Sequence, residues 1–167
     1  MTIDRTRYEP LGYDSSAERS FFKLGLPAAI LWSFLYLLRY ASAHQALYYM
    51  NEAGDQVLRP DAVMPDFYLL VEHAFLGFPL LAVGILAFTV ARYRYHWRGS
   101  KPIYLMRRLP DSRELHRRCL TLPLLGLAVV LLTALLLFIL YYNSYMRTTP
   151  PAALQAKQWQ KLWGIAR

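Results

Sequence analysis

A single cysteine, Cys119, is all that the 167 residues contain. One thiol excludes an intrachain disulfide and any multi-cysteine metal centre, and it leaves the redox compartment open. No glycine-rich phosphate loop is present, which excludes P-loop nucleotide hydrolysis, and nothing resembles the nucleophile elbow of a hydrolase. The four histidines (His44, His73, His96, His116) form no zincin pattern, and "HRRC" (His116 to Cys119) lacks a second pair of ligands. Neither a metal, a cofactor nor an enzymatic activity is therefore expected.

Charge is missing where it matters most. Leu120 to Tyr142 holds no charged residue in twenty-three positions, and Ala74 to Ala91 holds none in eighteen. A third run, Leu24 to Leu38, lasts until Arg39 and is extended by Phe21 and Phe22. Runs of about 18 or more apolar residues read as membrane spans. The expected fold class is thus an all-α integral membrane protein with three transmembrane helices, Phe21–Ala43, Phe67–Ala91 and Leu120–Tyr142. A segment 1–20 precedes them, 44–66 and 92–119 connect them, and 143–167 follows. "ASA" (Ala41 to Ala43) resembles a signal-peptide cleavage site. However, Arg39 and Tyr40 beside it, and a lead-in with four basic and four acidic residues, argue against cleavage.

Prolines place expectations on the helices. Pro123 falls in the first turn of the third span, and so does Pro27 in the first if that helix starts near Leu24; both are tolerated there. Pro79 lies mid-span after Gly77 and is expected to kink the second helix. Gly77, Gly84 and Ala91, seven apart, offer a small-residue face for close helix approach.

What charge there is lies unevenly. The net charge is +8. Residues 44–66 hold one basic side chain, Arg59, against Glu52, Asp55, Asp61 and Asp66. Residues 92–118 hold nine: Arg92, Arg94, Arg98, Lys101, Arg107, Arg108, Arg113, Arg117 and Arg118. The positive-inside rule makes that second loop cytoplasmic, with the N-terminus inside, the C-terminus outside and the cell membrane as the location. Tyrosines gather where interfaces are expected, at Tyr36, Tyr40, Tyr48, Tyr49 and Tyr68 and again at Tyr141, Tyr142 and Tyr145. After Pro150 and Pro151 the tail alternates Leu154, Trp159, Leu162 and Trp163 with Lys157 and Lys161, the pattern of an interfacial helix.

Two groups of residues carry functional expectations. Glu72 and His73 fall inside the second span and Arg39 near the end of the first. An Arg39–Glu72 ion pair would neutralise both, snorkelling would wet each one, and a proton or transport role is the third option. The other group is "SKPIYLMRRLPDSRELHRR" (Ser100 to Arg118). Ser100 and Pro102 can start a short amphipathic helix carrying Ile103, Met106 and Leu109 on one face, with Tyr104, Arg107 and Arg108 beside them, and Pro110 ends it. "DSRE" (Asp111 to Glu114) then resembles a capping-box restart into the third span. Arg92, Arg94, Arg98, Lys101, Arg117 and Arg118 suit anchoring to anionic lipid, at about 1 kcal/mol each near a charged surface. The apolar face of 103–109 suits a groove on a cytosolic protein. Nucleic acid fits poorly, because no binding module accompanies the basic residues.

"GSKPIYLMRRLPDSRELHRRCLTLP" (Gly99 to Pro123), "PDAVMPDFYLL" (Pro60 to Leu70) and "QWQKLW" (Gln158 to Trp163) resemble a family of small integral membrane proteins from anaerobic Gram-positive bacteria. That family is typically found alongside the ATPase subunit of an ABC transporter. The resemblance implies a membrane-spanning ABC subunit, probing its ATPase with residues 102–109 as a coupling helix. ABC-2 type permeases commonly carry six spans per subunit, so three imply a homo-oligomer, a second membrane subunit or an accessory role. The other reading is a small membrane scaffold or regulator held to anionic lipid by its basic loop.

Overall fold

A computed structural model of the chain describes residues 14–52, 54–98, 113–155 and 158, with the side chains of 96–98, 113–116 and 118 left aside. The described elements are α1 (Ser16–Ser33), α2 (Leu35–Ala46), β1 (Tyr48–Met50), β2 (Gln56–Leu58), α3 (Phe67–Val71), α4 (Gly77–Arg98) and α5 (Arg113–Thr148). The protein is mostly helical. Three helical stretches, Ser16–Ala46, Gly77–Tyr95 and Cys119–Thr148, are long and apolar enough to cross a membrane. The shortest has 19 residues, about 28 Å at 1.5 Å per residue, close to a hydrocarbon core of about 30 Å. Only 11 % of the most apolar window in Cys119–Thr148 is buried by the chain itself. Leu131, Leu136 and Leu140 point outward on α5, as lipid-facing residues do.

Where each helix starts and breaks differs from the sequence expectation, for reasons that lie in the prolines and serines. α1 begins at Ser16, so Pro27 is internal to it, as Pro123 is to α5. The second membrane helix does not run from Phe67. α3 ends at Val71, turns occupy 72–76, and α4 starts at Gly77. Pro79 thereby sits in the first turn, where a missing N–H costs no helical bond, and the expected mid-span kink becomes a helix start. The first stretch breaks at Phe34. The Ser33 hydroxyl donates to the Ile30 carbonyl at 2.6 Å, and the Phe34 N–H turns back to the Leu31 carbonyl at 3.1 Å. Such back-bonding bends helices.

By its internal contacts the chain divides into two units, one of Met1–Ala28 and Phe78–Thr133, the other of Ala29–Gly77 and Ala134–Arg167.

In the first unit α1, α4 and α5 pack through small residues. A side chain on Gly84 would run into the ring of Phe21, and one on Gly25 would meet the Leu81 side chain. Phe21 also packs on Phe88, with ring centroids 5.3 Å apart.

The second unit is built on aromatic rings. Tyr36, fully buried, stacks on Tyr141 at 4.6 Å and meets the edge of Phe67 at 5.8 Å. Phe67 also meets Phe138, Tyr142 and Tyr145 at 5.3–5.5 Å. Aromatic pairs in these geometries contribute about 0.5–1.5 kcal/mol each beyond area burial. Their hydroxyls are satisfied in series. Tyr36 donates to the Tyr141 carbonyl at 3.1 Å, and Tyr141 OH lies 2.9 Å from Ser33 Oγ, whose own proton is committed to Ile30. A Cβ on Gly77 would come within 3.0 Å of Ala29 Cα, so glycine here permits backbone contact. β1 and β2 form a two-stranded antiparallel hairpin, Tyr48 opposite Leu58 and Met50 opposite Gln56. Its turn uses Gly54 at φ 86° and the Asn51 side chain, which accepts from the Asp55 N–H at 2.9 Å.

The segment after α5 folds back in the same unit. Met64 N–H donates to the Ala153 carbonyl at 2.9 Å, and Gln155 Nε2 to the Met64 carbonyl at 3.2 Å. Gln158, nearly buried, accepts from Phe67 N–H at 3.1 Å and donates to Asp66 Oδ1 at 2.9 Å. It supplies the N-terminal cap of α3 that Asp66 does not make. Residues 151–155 and 158 thus clasp 62–67; the rest of the expected interfacial helix lies outside the described residues.

Candidate functional site

The polar residues singled out in the sequence do not come together as one site. Glu72 and His73 lie in the turns between α3 and α4, both more than half exposed, with His73 Nδ1 4.0 Å from Glu72 Oε2. Their separation follows from the helix start at Gly77, which leaves them ahead of the membrane-length part of α4. Arg39 is half-buried on α2, and among the described residues it makes no ion pair with Glu72. The His73 carbonyl accepts from Trp32 Nε1 at 3.0 Å, which ties the turn to α1 within the second unit. Among the described residues no three His, Cys, Asp or Glu side chains gather as a metal site.

Of the basic residues expected at lipid headgroups, Arg94 and Arg117 are exposed. Arg92 is placed differently. It is 3 % exposed, and its Nε donates to Glu18 Oε1 and Oε2 at 2.9 and 2.8 Å. Nη2 makes a further short contact to Glu18 Oε2, and Nη1 lies 3.5 Å from the Cys119 carbonyl. One guanidinium therefore ties α1, α4 and α5 together inside the first unit. Arginine suits this role, since its fork can hold a carboxylate with two N–H groups and still reach a third acceptor. A guanidinium inside an apolar helix packing needs such a partner, because an uncompensated buried charge is strongly destabilising. The sequence offered a weak signal for it. Glu18 is an acid just ahead of an apolar run and Arg92 a base just after one, but no spacing rule joins residues 74 apart.

Beside this pair lies a cavity of about 360 Å³. Its walls are apolar, from Phe22 on α1, Ile85 and Phe88 on α4, and Leu122, Leu125 and Val129 on α5. Gly126 opens its α5 wall. A Cβ there would sit 3.6 Å from Phe22 and 3.8 Å from Ile85, which is ordinary contact and leaves the space beyond unfilled. The polar side chains are Ser15 just ahead of α1, Glu18, Arg19 and Lys23 early in α1, and Arg92 on α4, so the cavity is amphiphilic in layout. Its volume is within the about 300–1,000 Å³ of small-molecule pockets. Upstream, Asp14 accepts from both the N–H and the hydroxyl of Ser16 at 2.9 Å. Those two bonds, with Arg19 nearby, hold its carboxyl below the ordinary aspartate range.

The chain matches no family model, no curated protein and no solved structure. Ile103, Tyr104, Met106, Arg107, Arg108 and Leu109, with Lys101 and the side chains of Arg98 and Arg118, lie outside the described residues.

Proposed function

We propose that the chain is a membrane-spanning subunit of an ABC-type transporter complex, an exporter, energised by a separate cytosolic ATPase that docks on the 100–118 loop. The observation that carries this reading is the apolar triad Ile103, Met106 and Leu109, set between Pro102 and Pro110 in a loop that joins two membrane-length helices. Nine basic residues against one favour placing that loop on the cytoplasmic side, with the N-terminus inside and the C-terminus outside. Basic charge alone would anchor the loop to anionic lipid without the triad. The triad is what a groove on a protein partner would use, with Arg107 and Arg108 at its rim. The resemblance of Gly99–Pro123 to ATPase-associated membrane proteins points the same way by analogy. Three spans enclose little by themselves, so the working unit is a homo-oligomer or includes a second membrane subunit.

Co-purification with an ABC-type ATPase co-expressed in the same membranes tests the reading. The wild-type chain retains the ATPase, and Met106→Asp with Leu109→Asp releases it while the chain still inserts. An unchanged complex in that double variant rules out docking at the triad. Binding to anionic liposomes with no ATPase retained supports instead a membrane scaffold or regulator held to lipid by its basic loop.

A further inference from the structure

We infer that the cavity between α1, α4 and α5 in the first unit is a binding site for one acyl chain of an anionic phospholipid, whose phosphate is met by Lys23. The inference is independent of the transporter reading, since it uses no residue of the 100–118 loop.

Three observations lead to it. The cavity is apolar along most of its walls and takes its charged groups from Glu18, Arg19 and Lys23 of α1 and Arg92 of α4, the layout of an amphiphile rather than of a polar metabolite. It also belongs to helices with membrane-length apolar stretches, and lipid is the amphiphile such helices meet. The charges on its rim then decide the sign of the headgroup. Arg92 is committed to Glu18, and the two together are close to neutral. The N-terminus of α1 is not the anion site, because Asp14 already accepts from Ser16 there. Arg19 leans electrostatically on that same Asp14. Lys23, exposed and one helical turn beyond Arg19, borders the cavity, and among the described residues no carboxylate pairs with it. It stands immediately before the uncharged run Leu24 to Leu38, where an ammonium on a long stem reaches the headgroup level. Positive charge facing an apolar slot selects an anionic headgroup over a zwitterionic one.

The experiment uses the full chain in detergent micelles with a phosphatidylglycerol carrying a photoactivatable diazirine in one acyl chain. Cross-linked peptides are mapped, and unlabelled phosphatidylglycerol or phosphatidylcholine of equal chain length competes. The expected result is labelling concentrated on Phe22, Ile85 and the Leu125–Val129 stretch, with phosphatidylglycerol competing about fivefold better. Lys23→Gln, at an exposed position that leaves the fold intact, brings the two competitors to within about twofold. Gly126→Leu fills the slot and removes the labelling while Lys23→Gln keeps it. Labelling spread evenly around the three helices overturns the inference. So does an unaltered phosphatidylglycerol preference in Lys23→Gln. Should Gly126→Leu fail to insert, the Lys23→Gln competition alone decides the matter.

Discussion

Arg92 on α4 grips both carboxylate oxygens of Glu18 on α1, in a setting where the arginine is 3 % and the glutamate 11 % exposed. The two residues are 74 positions apart, and their contact fixes how α1 meets α4 within the first unit. Removing one partner leaves the other charge buried. Glu18→Ala and Arg92→Ala are each expected to cost about 3–5 kcal/mol. The double replacement Glu18→Leu with Arg92→Met removes both charges and should recover most of that loss. Thermal unfolding in detergent gives the readout, and a double variant as unstable as either single one would show that the charges themselves are needed.

Small residues make the second test. Gly84 faces the Phe21 ring, which is itself held against Phe88, so even a methyl group has nowhere to go. Gly84→Ala is expected to destabilise by about 1–3 kcal/mol through overpacking. Gly126→Ala, with its nearest neighbour at 3.6 Å, should stay within about 0.5 kcal/mol of the parent. Pairing Gly84→Ala with Phe21→Leu should restore part of the loss. Equal stability of the two single variants would mean that Phe21 does not pack where it is seen.

Asp14 supplies a pH test. Its carboxyl is held below the ordinary aspartate range by the two bonds from Ser16. A depressed folded-state value means that its contribution is present above the unfolded value and is lost as pH falls through the folded one. The start of α1 should therefore hold at neutral pH and fray only in acid, below the usual aspartate range. Asp14→Asn keeps an acceptor for Ser16 and should abolish that acid-dependent step. Amide hydrogen exchange at the first turn of α1, followed against pH, checks both statements.

How much of this was legible in the sequence depends on which physical effect each feature obeys. The three membrane-length helices follow from uncharged runs, because lipid excludes charge at any position along them. Their ends were harder to read. Hydropathy does not see that Pro79 is cheap in a first turn and costly in a middle one, so the sequence alone placed α4's start ten residues early. The same shift took Glu72 and His73 out of the span and with them the expected partner for Arg39. Arg92 illustrates the opposite limit. As one of nine basic residues it read as a surface anchor, and only tertiary packing with Glu18 takes it inside. Leucines and tryptophans alternating with lysines give the tail the pattern of an interfacial helix, while two of its three glutamines, Gln155 and Gln158, reach Met64, Asp66 and Phe67.

Gln158 carries the last prediction. Among the described residues its amide oxygen is the partner of the Phe67 N–H at the start of α3, and its amide nitrogen serves Asp66. Gln158→Leu keeps the volume and loses both bonds, leaving a buried N–H unsatisfied at a cost of about 1–3 kcal/mol. Gln158→Glu keeps the acceptor for Phe67 but sets a carboxylate against Asp66. It should be the worse of the two at neutral pH and should improve as the pH is lowered and one carboxylate of the pair takes up a proton. Limited proteolysis after Thr149 reports directly on whether the tail stays clasped to residues 62–67. Cleavage in Gln158→Glu that fails to slow on acidification would mean that Asp66 and residue 158 do not face each other.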